Sequence, residues 1–269
     1  MFSNQKFLIV LDLDGTLLNS GKTVTPKTAE YLRHLQAEGH IVTMASGRPP
    51  RAILPYYRLL DLHAPLIGYN GSIILNPHEE RILFEKRFRK SAVLDFLDAF
   101  PLSMFSNMEA EYGDRMFFLK DDSTYVDYFH KEEMKVTYGP FRDLIEEDCN
   151  SFLVALKDEE DQRKIEEKCK DYEDIGMRFW YDSEHIGEFY HYAVNKSTAI
   201  QYLEQVYAID RAHVIAFGDA DNDVEMLGKA GISFAMKNGS DKLKAIADFV
   251  TEEDNDHDGI YLSLRKIFD

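Results

Sequence analysis

Asp12 and Asp14 stand midway through FLIVLDLDGTLL, where a run that opens as a buried strand turns abruptly acidic. Residues two apart on a strand point to the same side. The two carboxylates are therefore expected to converge at the strand's carboxyl end while Leu13 faces away. Like charges that close raise one another's pKa unless a cation lies between them, and an all-oxygen site favours Mg2+. The plainer alternative is a strand-end turn with Gly15 as its pivot. A second acidic cluster, FGDADND, places Asp219 after another apolar run, with Asn222 and Asp223 in the first turn of the helix that follows. Helix capping accounts for one or two of these residues, but not for a matching acidic pair on a different strand. Ser46-Gly47-Arg48 sets a hydroxyl and a close-approaching backbone after a third run, suited to an anion's oxygens and equally compatible with a common turn. Lys196 is placed to neutralise a bound phosphate or a developing charge, although a lone lysine is more often a solvated surface residue.

Something must bring these residues together. Residues 7 to 11 form a β-branched and aromatic run, and Thr25-Pro26 supplies the N-cap and first position of a helix that Gly39 ends. HIVTMA (40 to 45) predicts a second strand, RAILPYYRLL a helix weakened by Pro55, and PLIGYN (65 to 70) a third strand. Strands separated by helices predict a parallel sheet, and open α/β sheets bind ligands at the carboxyl ends of their strands. After Asn70-Gly71 the rhythm becomes irregular and charged. It returns near residue 190 with KSTAIQYLEQVYAI, HVIAFG, NDVEMLGKAG, ISFAM and SDKLKAIA, so the α/β domain is made from both ends of the chain.

With 269 residues the chain has room for two modules, and 45% hydrophobic against 29% charged residues predicts a folded protein. A formal charge of -17 disfavours nucleic acid and anionic membrane surfaces as partners, so an anionic substrate needs a local reversal of sign. No apolar run reaches the roughly 18 residues that span a bilayer, and the first ten residues lack a signal-peptide pattern, which predicts a cytoplasmic protein. Cys149 and Cys169 sit in no metal-ligand spacing and read as two buried thiols or one bridge.

DLDGTLL, MASGR, VNKSTAI and GDADNDVEML, in that order, resemble the four motifs of haloacid dehalogenase-like phosphohydrolases, and the resemblance spans the chain. The large insert between the second and third motifs, Asn70-Gly71, and AMKNG followed by DHDGI are similar to the Cof-type group with a type IIB cap. The resemblance implies an α/β fold. Its Rossmann-like parallel-sheet core would comprise residues 1–82 and 190–269, with an inserted α+β cap of the C2, type B kind over 83–189 that closes on the cleft and selects the substrate.

The same resemblance implies that Asp12 is the nucleophile, forming an aspartyl-phosphate, and that Asp14 protonates the leaving oxygen and then deprotonates water. Mg2+ would be held by Asp12, the backbone carbonyl of Asp14 and Asp219, with Asp223 as a further ligand or as support. Ser46, with Gly47 beside it, and Lys196 would hold the phosphoryl group, and Asn222 its oxygens or the substrate. The expected activity is a phosphatase of small phosphorylated metabolites. A phosphomutase and a non-catalytic, metal-dependent binding protein are the alternatives.

Ser197 and Lys237 depart from the group's usual residues, and Lys237 is a weak candidate for substrate binding. The glycines at 15 and 21 are one residue too far apart for a phosphate-binding P-loop. Asp254, Asp256 and Asp258 begin like a calcium loop, but Arg265 stands where its bidentate Glu belongs, so an acidic surface loop is expected. Trp180, Tyr181, His185 and His191 read as packing residues rather than ligands.

Overall fold

The computed structural model describes residues 5–180 and 185–269. The chain divides into two units, Met1–Glu85 with Val194–Asp269, and Lys86–Ala193. The first unit opens with β1 (Leu8–Leu11), wholly buried, and α1 (Pro26–Ala37), whose N-cap Thr25 accepts a hydrogen bond from the Thr28 amide. Next come β2 (Ile41–Met44), α2 (Pro50–Leu59), which carries Pro55 inside it, and β3 (Leu66–Gly68). β3 continues into an antiparallel meander with β4 (Ile73–Asn76) and β5 (Arg81–Glu85), and beside β2 it forms an isolated parallel bridge at Ala45 and Ile67. The expected third parallel strand is thus mostly an antiparallel one, because a short turn at Asn70-Gly71 returns the chain directly onto it.

The second unit runs through α3 (Lys90–Ala99), β6 (Phe105–Tyr112), β7 (Arg115–Phe118), α4 (Ser123–Val126), β8 (Lys135–Tyr138) and α5 (Phe141–Leu144). It ends with β9 (Ser151–Leu156), α6 (Gln162–Cys169), β10 (Ile175–Phe179) and β11 (Ile186–His191). Its six strands form one sheet in the order β10-β11-β9-β6-β7-β8. Val93 and Phe96 of α3 and Ile165 and Cys169 of α6 join Met108, Phe152, Val154 and Phe189 of the strands in one apolar cluster. Phe105–Tyr112 alternates like a half-solvated strand, yet Glu109 and Glu111 are buried, and Ser151 Oγ donates to Glu109 at 2.9 Å. His191 is buried and stacked on Phe88 with ring centroids 4.5 Å apart, and Trp180 Nε1 donates to Glu188 at 3.1 Å. Tyr181 lies outside the described residues. Both cysteines are free and buried.

The chain returns to the first unit with α7 (Lys196–Tyr207), β12 (Val214–Gly218), α8 (Val224–Leu227), β13 (Ile232–Ala235), α9 (Asp241–Ile246), β14 (Phe249–Val250) and α10 (Gly259–Phe268). The segment after Asp219 is a 3-10 turn, Asp221–Asp223, followed by the single turn of α8, where the sequence predicts one longer helix. The sheet order is β14-β13-β12-β1-β2, with every neighbouring pair parallel. Alternation on β1 feeds two cores: Ile9 and Leu11 pack with Leu32 and Leu35 of α1 and Leu264 of α10, while Leu8 and Val10 pack with Ile200 and Leu203 of α7. Covered on both faces, β1 is a continuous apolar run, as parallel strands are. Among the described residues no helix is long and apolar enough to cross a membrane.

Candidate active site

Register decides which side chains meet. Leu11 pairs with Met44 on one side and Phe217 on the other, so Asp12, Ala45-Ser46 and Gly218-Asp219 emerge together at the carboxyl ends of three adjacent strands. The connections leave β1 on one side through α1 to β2, while β12 lies on its other side. This is the reversal point of an open α/β sheet, where a crevice forms.

Asp12, Asp219 and Asp223 each present a carboxylate oxygen within 4.8 Å of the others. Between them, Lys196 Nζ donates to Asp12 Oδ1 at 2.5 Å and to Asp223 Oδ1 at 2.6 Å, and the lysine and Asp223 side chains are 1% and 0% exposed. Asp223 is spoken for at both ends, because its Oδ2 accepts the Asp219 and Ala220 amides at 3.0 and 3.2 Å. It thereby holds both the lysine and the loop that carries Asp219. Thr16 Oγ1 donates to Asp219 Oδ1 at 2.8 Å. Gly15, at φ +72, is required here: a Cβ would lie 2.3 Å from Asp219 Oδ2.

Burial pushes the Asp12 carboxyl well above its ordinary value. The Lys196 charge opposes this, and Asp223 and Asp219 add to it. Asp219 is pushed up to about 6, by burial first and then by Asp223. Burial works against the Lys196 ammonium, but Asp12 and Asp223 outweigh it and raise the pKa. Three converging carboxylates against one ammonium leave negative charge uncompensated, and hard oxygen donors in that number suit a divalent cation. The donor set therefore fits a metal of the Mg2+ type.

A pH dependence follows for the metal-free protein. Asp219 is raised in the folded state, so the folded protein holds a proton that the unfolded chain has released between about 3.8 and about 6. Its contribution is fully present below that window and is lost as pH rises through it. In chelator, the melting temperature of the native protein is expected to fall relative to Asp219→Asn as pH is raised from 4 to 7. Parallel pH profiles for the two proteins would refute the crowding of carboxylates.

Asp14 behaves differently from the sequence expectation. Its carboxylate is not in the cluster of three. Arg48 Nε and Nη2 each lie 2.6 Å from a different Asp14 oxygen, and Lys22 Nζ lies 2.7 Å from Oδ1. Burial raises its pKa, but hydrogen bonds from Arg48 and Lys22 and their charges outweigh it and hold the carboxyl at about 2. Strand periodicity no longer applies once β1 ends at Leu11, so Asp12 and Asp14 do not converge at their carboxylates.

Ser46 is buried, and its Oγ accepts the Arg48 amide at 3.2 Å. Gly47 lies against Asn70, whose side-chain atoms a Cβ would meet at 3.2 Å. Asn70 is in the left-handed region at φ 54, its amide donates to the Ser46 carbonyl at 2.9 Å, and its Oδ1 accepts Asn222 Nδ2 at 2.9 Å. Asn70 therefore ties the second motif to the fourth, a role the sequence marks only as a residue before Gly71. The acidic loop has a positioning role as well: Asp256 accepts the Ser20 amide and hydroxyl at 2.6 Å each, and Asp258 accepts the Thr25 hydroxyl. Asn238 Nδ2 donates to the Gly15 carbonyl at 2.7 Å. Lys237 is paired with Glu253 at 2.9 Å.

Residues 9–264 match the sequence profile of the haloacid dehalogenase-like hydrolases. The chain belongs to that family. This hydrolase is 35% identical over 268 residues to a 5-amino-6-(5-phospho-D-ribitylamino)uracil phosphatase of Bacillus subtilis, an alignment covering 97% of each chain. Among solved structures it is similar to a haloacid dehalogenase-like hydrolase from Bacteroides thetaiotaomicron, with 25% identity and a TM-score of 0.82 over 98% of this chain and 100% of that one. A protein from Thermotoga maritima shares the fold at a TM-score of 0.81 and 23% identity, covering 98% of each chain. The hydrolase is a Cof-type phosphomonoesterase with a mixed α/β fold.

Proposed function

We propose that the hydrolase is a Mg2+-dependent phosphatase of small phosphorylated metabolites that works through an aspartyl-phosphate on Asp12. The observation that carries this reading is the buried Lys196, bonded at once to Asp12 and Asp223 beside Asp219. A lysine held at the floor of an acidic crevice has no structural need to be there unless negative charge is to be gathered and used.

Asp12 and Asp219 would hold Mg2+, with the Asp14 carbonyl, and Asp223 supports them by fixing the loop. When bound, the metal supplies Lewis-acid charge that offsets the repulsion between a carboxylate and a phosphate dianion. Asp12 attacks phosphorus, the ester P–O bond breaks, and Asp14, ionised at rest by its pairing with Arg48 and Lys22, takes up a proton from solvent and delivers it to the departing oxygen. Asp14 then takes a proton from the water that attacks the same phosphorus, which releases inorganic phosphate and regenerates Asp12. Ser46 and Lys196 steady the transferring group by hydrogen bonding and charge, with Gly47 leaving room for it, and Asn222 orients its oxygens. Substrate choice is assigned to the inserted unit, because these core residues address only the phosphoryl group and the metal.

The test is phosphate release from a panel of phosphorylated metabolites, with Mg2+ and with chelator. The panel begins with 5-amino-6-(5-phospho-D-ribitylamino)uracil, the compound in the relative's name. Turnover with metal that chelator lowers at least about 100-fold is expected. An isomeric phosphate in place of inorganic phosphate would make the protein a mutase, and turnover indifferent to chelator would refute the metal.

A further inference from the structure

Asp14 is gripped by two cations that the chemistry of hydrolysis does not itself require. Each prong of the Arg48 guanidinium lies 2.6 Å from a separate Asp14 oxygen, and Lys22 adds a third contact at 2.7 Å. Behind them, the Tyr56 ring lies 5.7 Å from the guanidinium carbon, and its hydroxyl donates to the Lys22 carbonyl at 3.0 Å. A planar fork fixes the plane of a carboxylate as well as its place, which a point charge does not. Arg48 is in turn anchored beside the phosphoryl-binding serine, its amide donating to Ser46 Oγ at 3.2 Å.

In-line displacement puts attack and departure on opposite sides of phosphorus. Asp12 lies on the floor with its side chain 8% exposed, whereas that of Asp14 is 41% exposed. A proton donor for the departing oxygen belongs on the open side. A carboxylate two residues from Asp12 and free to turn would swing toward any cation shared by Asp12 and Asp219, becoming a ligand and ceasing to be an acid. We propose that Arg48, seconded by Lys22, is the positioning residue for Asp14, holding its carboxylate on the open side and out of the buried acidic cluster. This inference rests on the reading of Asp14 as acid and base.

The experiment compares kcat/KM for p-nitrophenyl phosphate, whose phenolate departs without a proton, with kcat/KM for the best alkyl phosphate of the panel, whose alkoxide needs one. It uses the native protein, Arg48→Met, Arg48→Lys, Asp14→Asn and the double variant Arg48→Met/Asp14→Asn, with thermal melts alongside. On the alkyl substrate, Arg48→Met is expected to lose about tenfold or more, and on the aryl substrate much less. Arg48→Lys should recover only part of the loss, and it keeps the test open if the methionine variant does not fold. Adding Arg48→Met to Asp14→Asn should cost nothing further. Equal losses on both substrates, or additive losses in the double variant, would overturn the proposal and make Arg48 a direct phosphate ligand. If Asp14→Asn itself loses nothing on the alkyl substrate, the acid reading falls and takes the positioning role with it. If Asp14→Asn loses activity and Arg48→Met does not, the positioning role alone falls.

Discussion

Asp12→Asn is expected to abolish phosphate release, with kcat lowered by about 10^4-fold or more, while the protein stays folded. The rate loss is that of removing a nucleophile, for which neither Lys196 nor the remaining carboxylates can substitute. Stability moves the other way. Burial and the neighbouring Asp223 and Asp219 hold the Asp12 carboxyl well above its ordinary pKa, so in the metal-free protein its charge is resisted. The neutral amide removes one of three crowded carboxylates, and the melting temperature in chelator is expected to match or exceed that of the native protein. Steady-state phosphate release and a thermal melt on one preparation check both halves. Retained turnover would sink the nucleophile assignment, and a large drop in melting temperature would sink the account of the crowding.

Lys196→Met has the opposite sign in stability and the same sign in activity. Removing the ammonium strands Asp12 and Asp223, which it contacts at 2.5 and 2.6 Å, in a site closed to water. Breaking one side of such a buried pair costs about 3–5 kcal/mol, far more than the pair contributes over an apolar replacement. Because Asp12 escapes part of that penalty by taking up a proton, the loss should be smaller at pH 5 than at pH 8. Adding Asp12→Asn to Lys196→Met should return part of it, since contacting residues are not additive. Urea denaturation of the four proteins at both pH values reads all of this. A Lys196→Met protein as stable as the native one would mean that the lysine is not the counter-charge of the cluster.

The placement of Asp12 and Asp219 was legible because each lies just after an apolar run that reads as a strand. Parallel pairing then needs only a common register to put the strand ends side by side. Lys196 entered the site only through the resemblance, since a lone lysine reads as solvated and its burial against Asp12 and Asp223 is set by the fold. Asp14 was misplaced for the same reason that Asp12 was placed correctly. Alternation is a property of a strand, and the strand stops at Leu11.

Where Asp14 turns depends on Arg48, 34 residues away, which no periodicity predicts. The roles of Asp256 and Asp258 are equally remote, since the loop they hold lies 236 and 233 residues earlier. Glu109 and Glu111 are buried although polar and apolar residues alternate along their strand, because alternation records polarity, not what covers it.

By itself the sequence determined the alternation of strands and helices, the interruption by a second unit, the family, and the acidic strand ends. Those depend on burying apolar side chains at fixed periods, a local constraint that each segment must meet alone. Tertiary structure alone decided which charges pair: Lys196 with Asp12 and Asp223, Arg48 and Lys22 with Asp14, Asn70 with Asn222. Electrostatic partners are chosen by distance and burial in three dimensions, where a guanidinium and a carboxylate far apart in the chain settle which oxygen faces the crevice.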